Sequence, residues 1–168
     1  IVHDTLVPTP QIHWPLLSAR AGCEVWVKHE NHTPIGAFKL RGGLVYLARL
    51  AEAAPDLPGI VSATRGNHGQ SIALAARRHG LRAVIVVPEG NSREKNAAMR
   101  AFGAELVVEG HDFQAALEHA QGLAARDGLH FVPSFHDWLV EGVASYALEL
   151  FAGAPPLDRV YVPIGLGS

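Results

Sequence analysis

The sequence contains a single cysteine, Cys23, and this scarcity excludes two kinds of architecture. An internal disulfide needs two thiols, and a zinc site built on cysteines needs several. Cys23 stands at the head of an apolar stretch, so we expect a buried, unreactive thiol. His29 and His32 have a spacing that could bind a metal, but no third ligand stands nearby. We therefore expect a surface or cleft role for these histidines and no metal site.

The sequence also has no large excess of positive or negative charge, and it has no long apolar run. Lysine and arginine number 14 against 16 for aspartate and glutamate, and no basic stripe marks a nucleic-acid surface. Apolar runs such as Ala83–Val87 are far too short to cross a bilayer, and no signal peptide is recognised at the start. We expect a cytoplasmic protein that binds or converts small molecules, without nucleic-acid or membrane partners.

Apolar, β-rich runs alternate with helical patterns along most of the chain. The predicted strands are at 25–28, 60–62, 83–87, 105–108, 130–132 and 159–162. The predicted helices are at 40–54, 70–79, 93–102, 113–127 and 138–151. Strands this apolar are buried on both faces, which indicates a parallel sheet covered by helices. The sequence therefore predicts an α/β fold with three layers, α/β/α.

Local signals support these helix ends. Left-handed residues after helices are expected at Gly80, Gly103, Gly128 and Gly153. Helix N-caps are expected at Ser92, Asp112 and Asp137.

One lysine stands in a glycine-flanked loop directly after the first predicted strand. Residues 33–43 read Thr-Pro-Ile-Gly-Ala-Phe-Lys-Leu-Arg-Gly-Gly. Glycines let a backbone approach a ligand, and a half-buried lysine can lose its charge and act as the nucleophilic amine of a Schiff base. The alternative is a turn into a helix whose Lys39 and Arg41 face water.

Two further turns have the composition of anion sites. Residues 63–70 follow a predicted strand and read Ala-Thr-Arg-Gly-Asn-His-Gly-Gln, which places backbone N–H groups and a helix start together. An ordinary capped turn is the alternative there. Residues 163–168 read Pro-Ile-Gly-Leu-Gly-Ser after the last predicted strand, which suits a phosphate cradle if a helix follows.

Together these three motifs resemble the fold type II pyridoxal-phosphate enzymes, and the likeness runs in matching order along all 168 residues. The nearest group is the threonine and serine dehydratases with the serine racemases. Tryptophan synthase β chains and cysteine synthases share the fold, but cysteine synthases usually carry threonine where this chain has His68.

The resemblance implies a role for each motif. Lys39 would form the Schiff base with pyridoxal phosphate and move the α-proton, and Phe38 would lie against the pyridine ring. Asn67 would hydrogen-bond the ring hydroxyl of the cofactor. The substrate carboxylate would be held by Thr64, Gly66, Asn67 and His68, and the cofactor phosphate by Gly165, Leu166, Gly167 and Ser168.

The implied activity is the conversion of threonine or serine to a 2-oxo acid and ammonia. Where serine racemases commonly have a serine before Gly66, this chain has Arg65, which cannot act as a general base, so racemisation is doubtful. Arg65 could instead pair with an extra carboxylate, as in 3-hydroxyaspartate, or point to solvent. A non-catalytic amino-acid-binding module is a further alternative, which the intact Lys39 disfavours.

The resemblance also implies two lobes. Residues 1–58 and 137–168 would belong to a large cofactor-binding lobe, and residues 59–136 to a small mobile lobe. The chain starts without methionine and stops directly after a predicted strand, so we expect a fragment with little or no activity of its own. The full-length protein is expected to form a homodimer or a higher homo-oligomer.

Overall fold

A four-stranded parallel sheet forms the centre of the computed structural model, which describes residues 1–165 and 167. Its strands are β3 (Ile60–Ala63), β4 (Ala83–Val87), β5 (Glu105–Val108) and β6 (His130–Phe131). They lie side by side in the order β5-β4-β3-β6. Ile60 of β3 lies opposite Ala83 of β4 and His130 of β6. The parallel sheet confirms the α/β fold class.

Helices cover both faces of this sheet because successive strand residues point to opposite sides. The helices are α1 (Pro15–Ala21), α2 (Lys39–Ala53), α3 (Asn67–Arg78), α4 (Arg93–Ala101), α5 (Phe113–Asp127) and α6 (Asp137–Gly153). Ile60, Ile85 and Val87 pack into one core cluster with α2 and α3. Val61 and Val84 pack with α5 into a second cluster on the other face. These two cores give the three predicted layers.

Glycines allow α2 to approach two other helices very closely. A Cβ atom on Gly42 would lie 2.7 Å from the carbonyl oxygen of Leu139 in α6. A Cβ on Gly142 of α6 would collide with the carbonyl oxygen of Arg41, and one on Gly43 would collide with the hydroxyl of Ser71 in α3. The start of α2 is therefore fixed between α3 and α6.

A short antiparallel pair precedes α2, and the sequence predicted only its second strand. β1 (Gln11–His13) pairs with β2 (Trp26–Lys28), with Gln11 opposite Lys28. Three residues next to a proline carry too little pattern to predict a strand, since the pairing partner lies beyond α1. Cys23 is exposed, because it stands in the bend between α1 and β2, so the expectation of a buried thiol is wrong.

The helix ends follow the local signals with two exceptions. Ser92 and Asp112 cap α4 and α5 as predicted, by accepting the N–H groups of Lys95 and Ala115. The cap of α6 is His136, not Asp137: its Nδ1 accepts the N–H of Trp138 at 3.1 Å.

The glycine signals divide in the same way. Gly80, Gly103 and Gly128 have positive φ angles as expected, whereas Gly153 remains inside α6, which ends at an extended Ala154.

The predicted strand at 159–162 is absent. These residues have no regular secondary structure, and Tyr161 is 86% exposed. The reason is the lack of a partner strand, because no described strand forms a ladder with this apolar run. Within the described part of the chain, no helix is long and apolar enough to cross a membrane.

Candidate active site

A cleft of about 1740 Å³ brings most of the predicted site residues together. It lies between the starts of α2 and α3, the first turn of α4, α6 and residues 155–165 with Gly167. The predicted residues that line it are Phe38, Lys39, Arg65, Gly66, Asn67, His68, Gly165 and Gly167. Thr64 does not line the cleft, and Leu166 and Ser168 lie outside the described residues.

Lys39 is the first residue of α2, and its amine is half-buried in the cleft. Burial lowers the pKa of this amine, which favours the uncharged, nucleophilic form. The Nζ atom lies 5.7 Å from the centroid of the Phe38 ring. The hydroxyl of Ser71 donates to the carbonyl oxygen of Lys39 at 2.7 Å and so ties this residue to α3.

The loop before Lys39 is closed by hydrogen bonds of its own. The hydroxyl of Thr33 accepts the N–H of Ala37 at 3.0 Å and donates to the carbonyl oxygen of Ala37 at 2.9 Å. Gly36, between them, has a φ angle of 68°, in the left-handed region that favours glycine. The sequence Thr-Pro-Ile-Gly-Ala thus sets the position from which α2 and Lys39 start.

The start of α3 faces the cleft with backbone donors. The buried hydroxyl of Thr64 accepts the N–H groups of Gly66 at 3.0 Å and Gly69 at 3.3 Å. Thr64 therefore shapes the turn from behind. The N–H groups of Asn67 and His68 lie in the first turn, where a helix supplies no acceptor of its own. Together with the helix dipole they suit an anion.

His68 adds an unsatisfied polar atom to this wall. The side chain is buried, and its Nε2 has no hydrogen-bond partner among the described residues. Burial, assisted by the charge of Lys39, lowers the pKa of His68 to about 4. The imidazole is therefore neutral at pH 7, and a ligand in the cleft can satisfy its free nitrogen. A desolvated amine, free N–H groups and this nitrogen fit pyridoxal phosphate and an amino acid.

A buried ionic network behind the cleft was not predicted from the sequence. The guanidinium of Arg41 is fully buried and hydrogen-bonds the carboxylates of Glu30 and Glu149 with two bonds each. Lys28 also binds Glu149, at 2.6 Å. Burial alone would raise the pKa of Glu149, but hydrogen bonds from Arg41, Lys28 and His3 lower it to about 2.

The network answers the question that the sequence left open about Arg41, which does not face water. The one signal in the sequence was that this charged residue stands between Leu40 and Leu44, which both pack in the core. The sequence could not name the partners, since Glu149 is 108 residues away.

The two histidines with metal-like spacing lie at the end of β2. His29 accepts a hydrogen bond from the indole of Trp14 at 3.1 Å, and its ring packs edge-on against His32. In residues 1–165 and 167, no three histidine, cysteine or acidic side chains are grouped so that they could hold a metal ion.

The fold is a parallel sheet covered by helices, and one cleft holds both a partly desolvated lysine and an anion-binding helix end. Such a site is equipped for covalent chemistry on small anionic ligands. A sequence profile of the family described as pyridoxal-phosphate dependent enzymes matches residues 2–168. The chain belongs to this family, which confirms the predicted fold type and the predicted cofactor.

The individual matches include named threonine dehydratases and deaminases. The chain is 38% identical to the biosynthetic L-threonine dehydratase of Pasteurella multocida over 168 residues, or 99% of this chain and 33% of the relative. The structure of processed threonine deaminase isoform 2 from Solanum lycopersicum matches with a TM-score of 0.81 and 32% identity, over 88% of this chain and 43% of that one.

A pyridoxal 5'-phosphate-dependent aspartate racemase structure matches with a TM-score of 0.85 and 32% identity, over 94% of this chain and 50% of that one. The chain thus spans about a third of the length of the curated relatives that it matches.

Proposed function

We propose that this chain is the catalytic part of a pyridoxal-phosphate-dependent ammonia-lyase that converts threonine or serine to a 2-oxo acid and ammonia. The observation that carries the proposal is the half-buried amine of Lys39, which shares one cleft with the start of α3. The names of the threonine dehydratases and deaminases that the chain resembles support the same activity.

The residues of the cleft divide the work of this reaction. The cofactor, when bound, supplies an electron sink for the substrate's α-carbon. The first turn of α3 binds the α-carboxylate through its N–H groups and orients the substrate. The amine of Lys39, whose pKa is lowered by burial, accepts the α-proton in its uncharged form, and the β-hydroxyl leaves as water. Neutral His68 provides a hydrogen bond through Nε2 without adding a charge.

The residues predicted to hold the cofactor remain part of the proposal. Phe38 would face the pyridine ring, and its own ring is held by an edge-on contact with Tyr146 at 6.5 Å between centroids. Asn67 would bind the ring hydroxyl from the start of α3. Gly165 and Gly167 would hold the phosphate from the segment that closes the same cleft.

The two-lobe division is also a proposal, and the packing supports it. All four strands of the parallel sheet lie within residues 59–136, the small lobe. The large lobe would consist of residues 1–58 and 137–168, and its helices α2 and α6 contact each other through Gly42 and Gly142. Homo-oligomerisation and a cytoplasmic location stay predictions.

The decisive experiment is a visible absorption spectrum of the protein with pyridoxal phosphate, before and after borohydride reduction, followed by peptide mapping. The sequence has lysines only at positions 28, 39 and 95, so the adduct can be assigned without ambiguity. We expect a Schiff-base band whose reduced adduct maps to Lys39. Lys39→Ala should abolish the band, and the charge-retaining control Lys28→Arg should keep it.

Turnover is measured next on the 168-residue chain and, since its curated relatives are about three times as long, on the full-length protein of which we propose it is a part. Release of 2-oxo acid from threonine or serine by the full-length protein is expected, with little or none from the chain alone. An adduct on another lysine, or amino-acid turnover that survives Lys39→Ala, would refute the proposed role of Lys39. The absence of both a Schiff-base band and turnover would leave a binding module as the better account.

A further inference from the structure

Two cationic side chains flank the anion-binding end of α3. Arg65 directly precedes Gly66 and is exposed at the cleft. Lys95, in the first turn of α4, reaches across the turn. A Cβ on Gly66 would lie 2.7 Å from its Nζ and 2.8 Å from its Cδ. The absence of a side chain at Gly66 therefore makes room for the Lys95 side chain at the wall of the cleft.

Neither cation is neutralised by an ion pair among the described residues. Asp112 interacts electrostatically with Arg65, but its carboxylate already accepts a hydrogen bond as the cap of α5. Glu94 borders a small hollow together with Lys95, without a salt bridge to it. Two positive charges thus stand beside a site that already has donors for one carboxylate.

The other basic groups of this wall do not supply that charge. Burial keeps His68 neutral, and its orphaned Nε2 already marks this wall as the place of a ligand. Lys39 must be uncharged to accept a proton. The first turn of α3 suffices for an α-carboxylate, and the side chains of threonine and serine carry no charge with which Arg65 and Lys95 could pair.

We propose that Arg65 and Lys95 select a substrate with a second carboxylate, a 3-hydroxy dicarboxylic amino acid of the 3-hydroxyaspartate class. The inference rests on the proposed lyase function and names its substrate class. The α-carboxylate binds at the start of α3, and the β-carboxylate binds between the two cations. Arginine suits this task because its planar fork matches a carboxylate, and lysine adds a second point charge.

The reaction then balances as in the neutral case. The α C–H and β C–O bonds break, and the hydroxyl leaves as water with the proton that Lys39 accepted. The resulting enamine takes up a proton and is hydrolysed, which consumes one water and releases ammonia. The product is a dicarboxylic 2-oxo acid.

Aspartate and asparagine are matched probes, because they have the same size and differ only in their side-chain group, which is a charged carboxylate in aspartate and a neutral amide in asparagine. Calorimetry on the holoenzyme of the full-length protein should show that aspartate binds at least about tenfold more tightly than asparagine, a difference of ~1.4 kcal/mol in binding free energy. Lys95→Gln and Arg65→Gln should each remove most of this preference while leaving the affinity for asparagine unchanged. Arg100→Gln, an exposed cation of α4 outside the cleft, is the control and should change neither affinity.

Turnover separates this inference from the proposed function. We expect faster release of 2-oxo acid from 3-hydroxyaspartate than from threonine or serine, and a reversed order in the Arg65→Gln/Lys95→Gln double variant. Equal binding of aspartate and asparagine, or an unchanged substrate order in the double variant, would overturn the inference while the lyase function stands. A preference for aspartate that depends on Arg65 and Lys95, without turnover of any hydroxy amino acid, would support the selectivity and refute the lyase.

Discussion

Replacing Gly142 with alanine tests the close contact between α2 and α6. The added methyl group would collide with the carbonyl oxygen of Arg41 and lie 2.7 Å from the Cα of Gly42. Both atoms belong to the backbone of α2, so no side-chain rotation can relieve the contact and the helices must separate. Overpacking of this kind costs about 3 kcal/mol at the upper end of its usual range. Alanine returns about 1 kcal/mol through its helix propensity.

We therefore expect Gly142→Ala to lower the free energy of unfolding by ~2 kcal/mol. Gly122→Ala is the matched control, because Gly122 is exposed within α5 and a methyl group added there would meet no atom within 4 Å. The same substitution there should stabilise by ~0.5–1 kcal/mol.

Urea unfolding of both variants measures the difference, and pyridoxal-phosphate affinity reports whether Lys39 has moved with α2. Stabilisation of similar size in the two variants would show that α2 and α6 do not touch as described.

Two further predictions concern buried charge. Arg41→Met leaves two carboxylates without their shared cation and should cost ~3–5 kcal/mol in urea unfolding, whereas Arg49→Met, which breaks an exposed pair with Glu141, should cost under ~1 kcal/mol. Equal losses would contradict the buried network. His68 has a folded pKa of about 4, below its unfolded value of about 6.5, so the unfolded state binds more protons between these pH values. Stability should therefore fall by up to ~3 kcal/mol as the pH drops through this window, and His68→Gln should flatten that slope in urea midpoints measured against pH.

The sheet from β3 to β5 and the helices α2 to α5 were predictable because their signals are local. Apolar runs and cap residues such as Ser92 and Asp112 act within a few residues of the chain. The elements that sequence reasoning missed depend on distant partners. β1 is defined by its pairing with β2, and the apolar run at 159–162 has no described strand beside it.

The candidate site shows the same division. Lys39 and His68 stand in motifs whose residue types announce their chemistry, and the structure places both in one cleft. Arg41 and Lys95 stand in ordinary helical sequence. Arg41 is paired with Glu149, which is more than 100 positions away in the chain. Lys95 packs against Gly66, which belongs to the turn before α3. Burial and charge pairing at such distances follow from the tertiary fold and have no local pattern.

The hydrogen bond between the Ser71 hydroxyl and the carbonyl oxygen of Lys39 lies where Gly43 lets α2 approach α3 closely. We expect this contact to act as a pivot between the two proposed lobes. A rotation of residues 59–136 about it would change the angle between α2 and α3 while the start of α2 stays anchored. Such a rotation would keep Lys39 close to the anion-binding turn at the start of α3, because the pivot lies beside both. Opening the cleft to admit a substrate need not dismantle the catalytic pair.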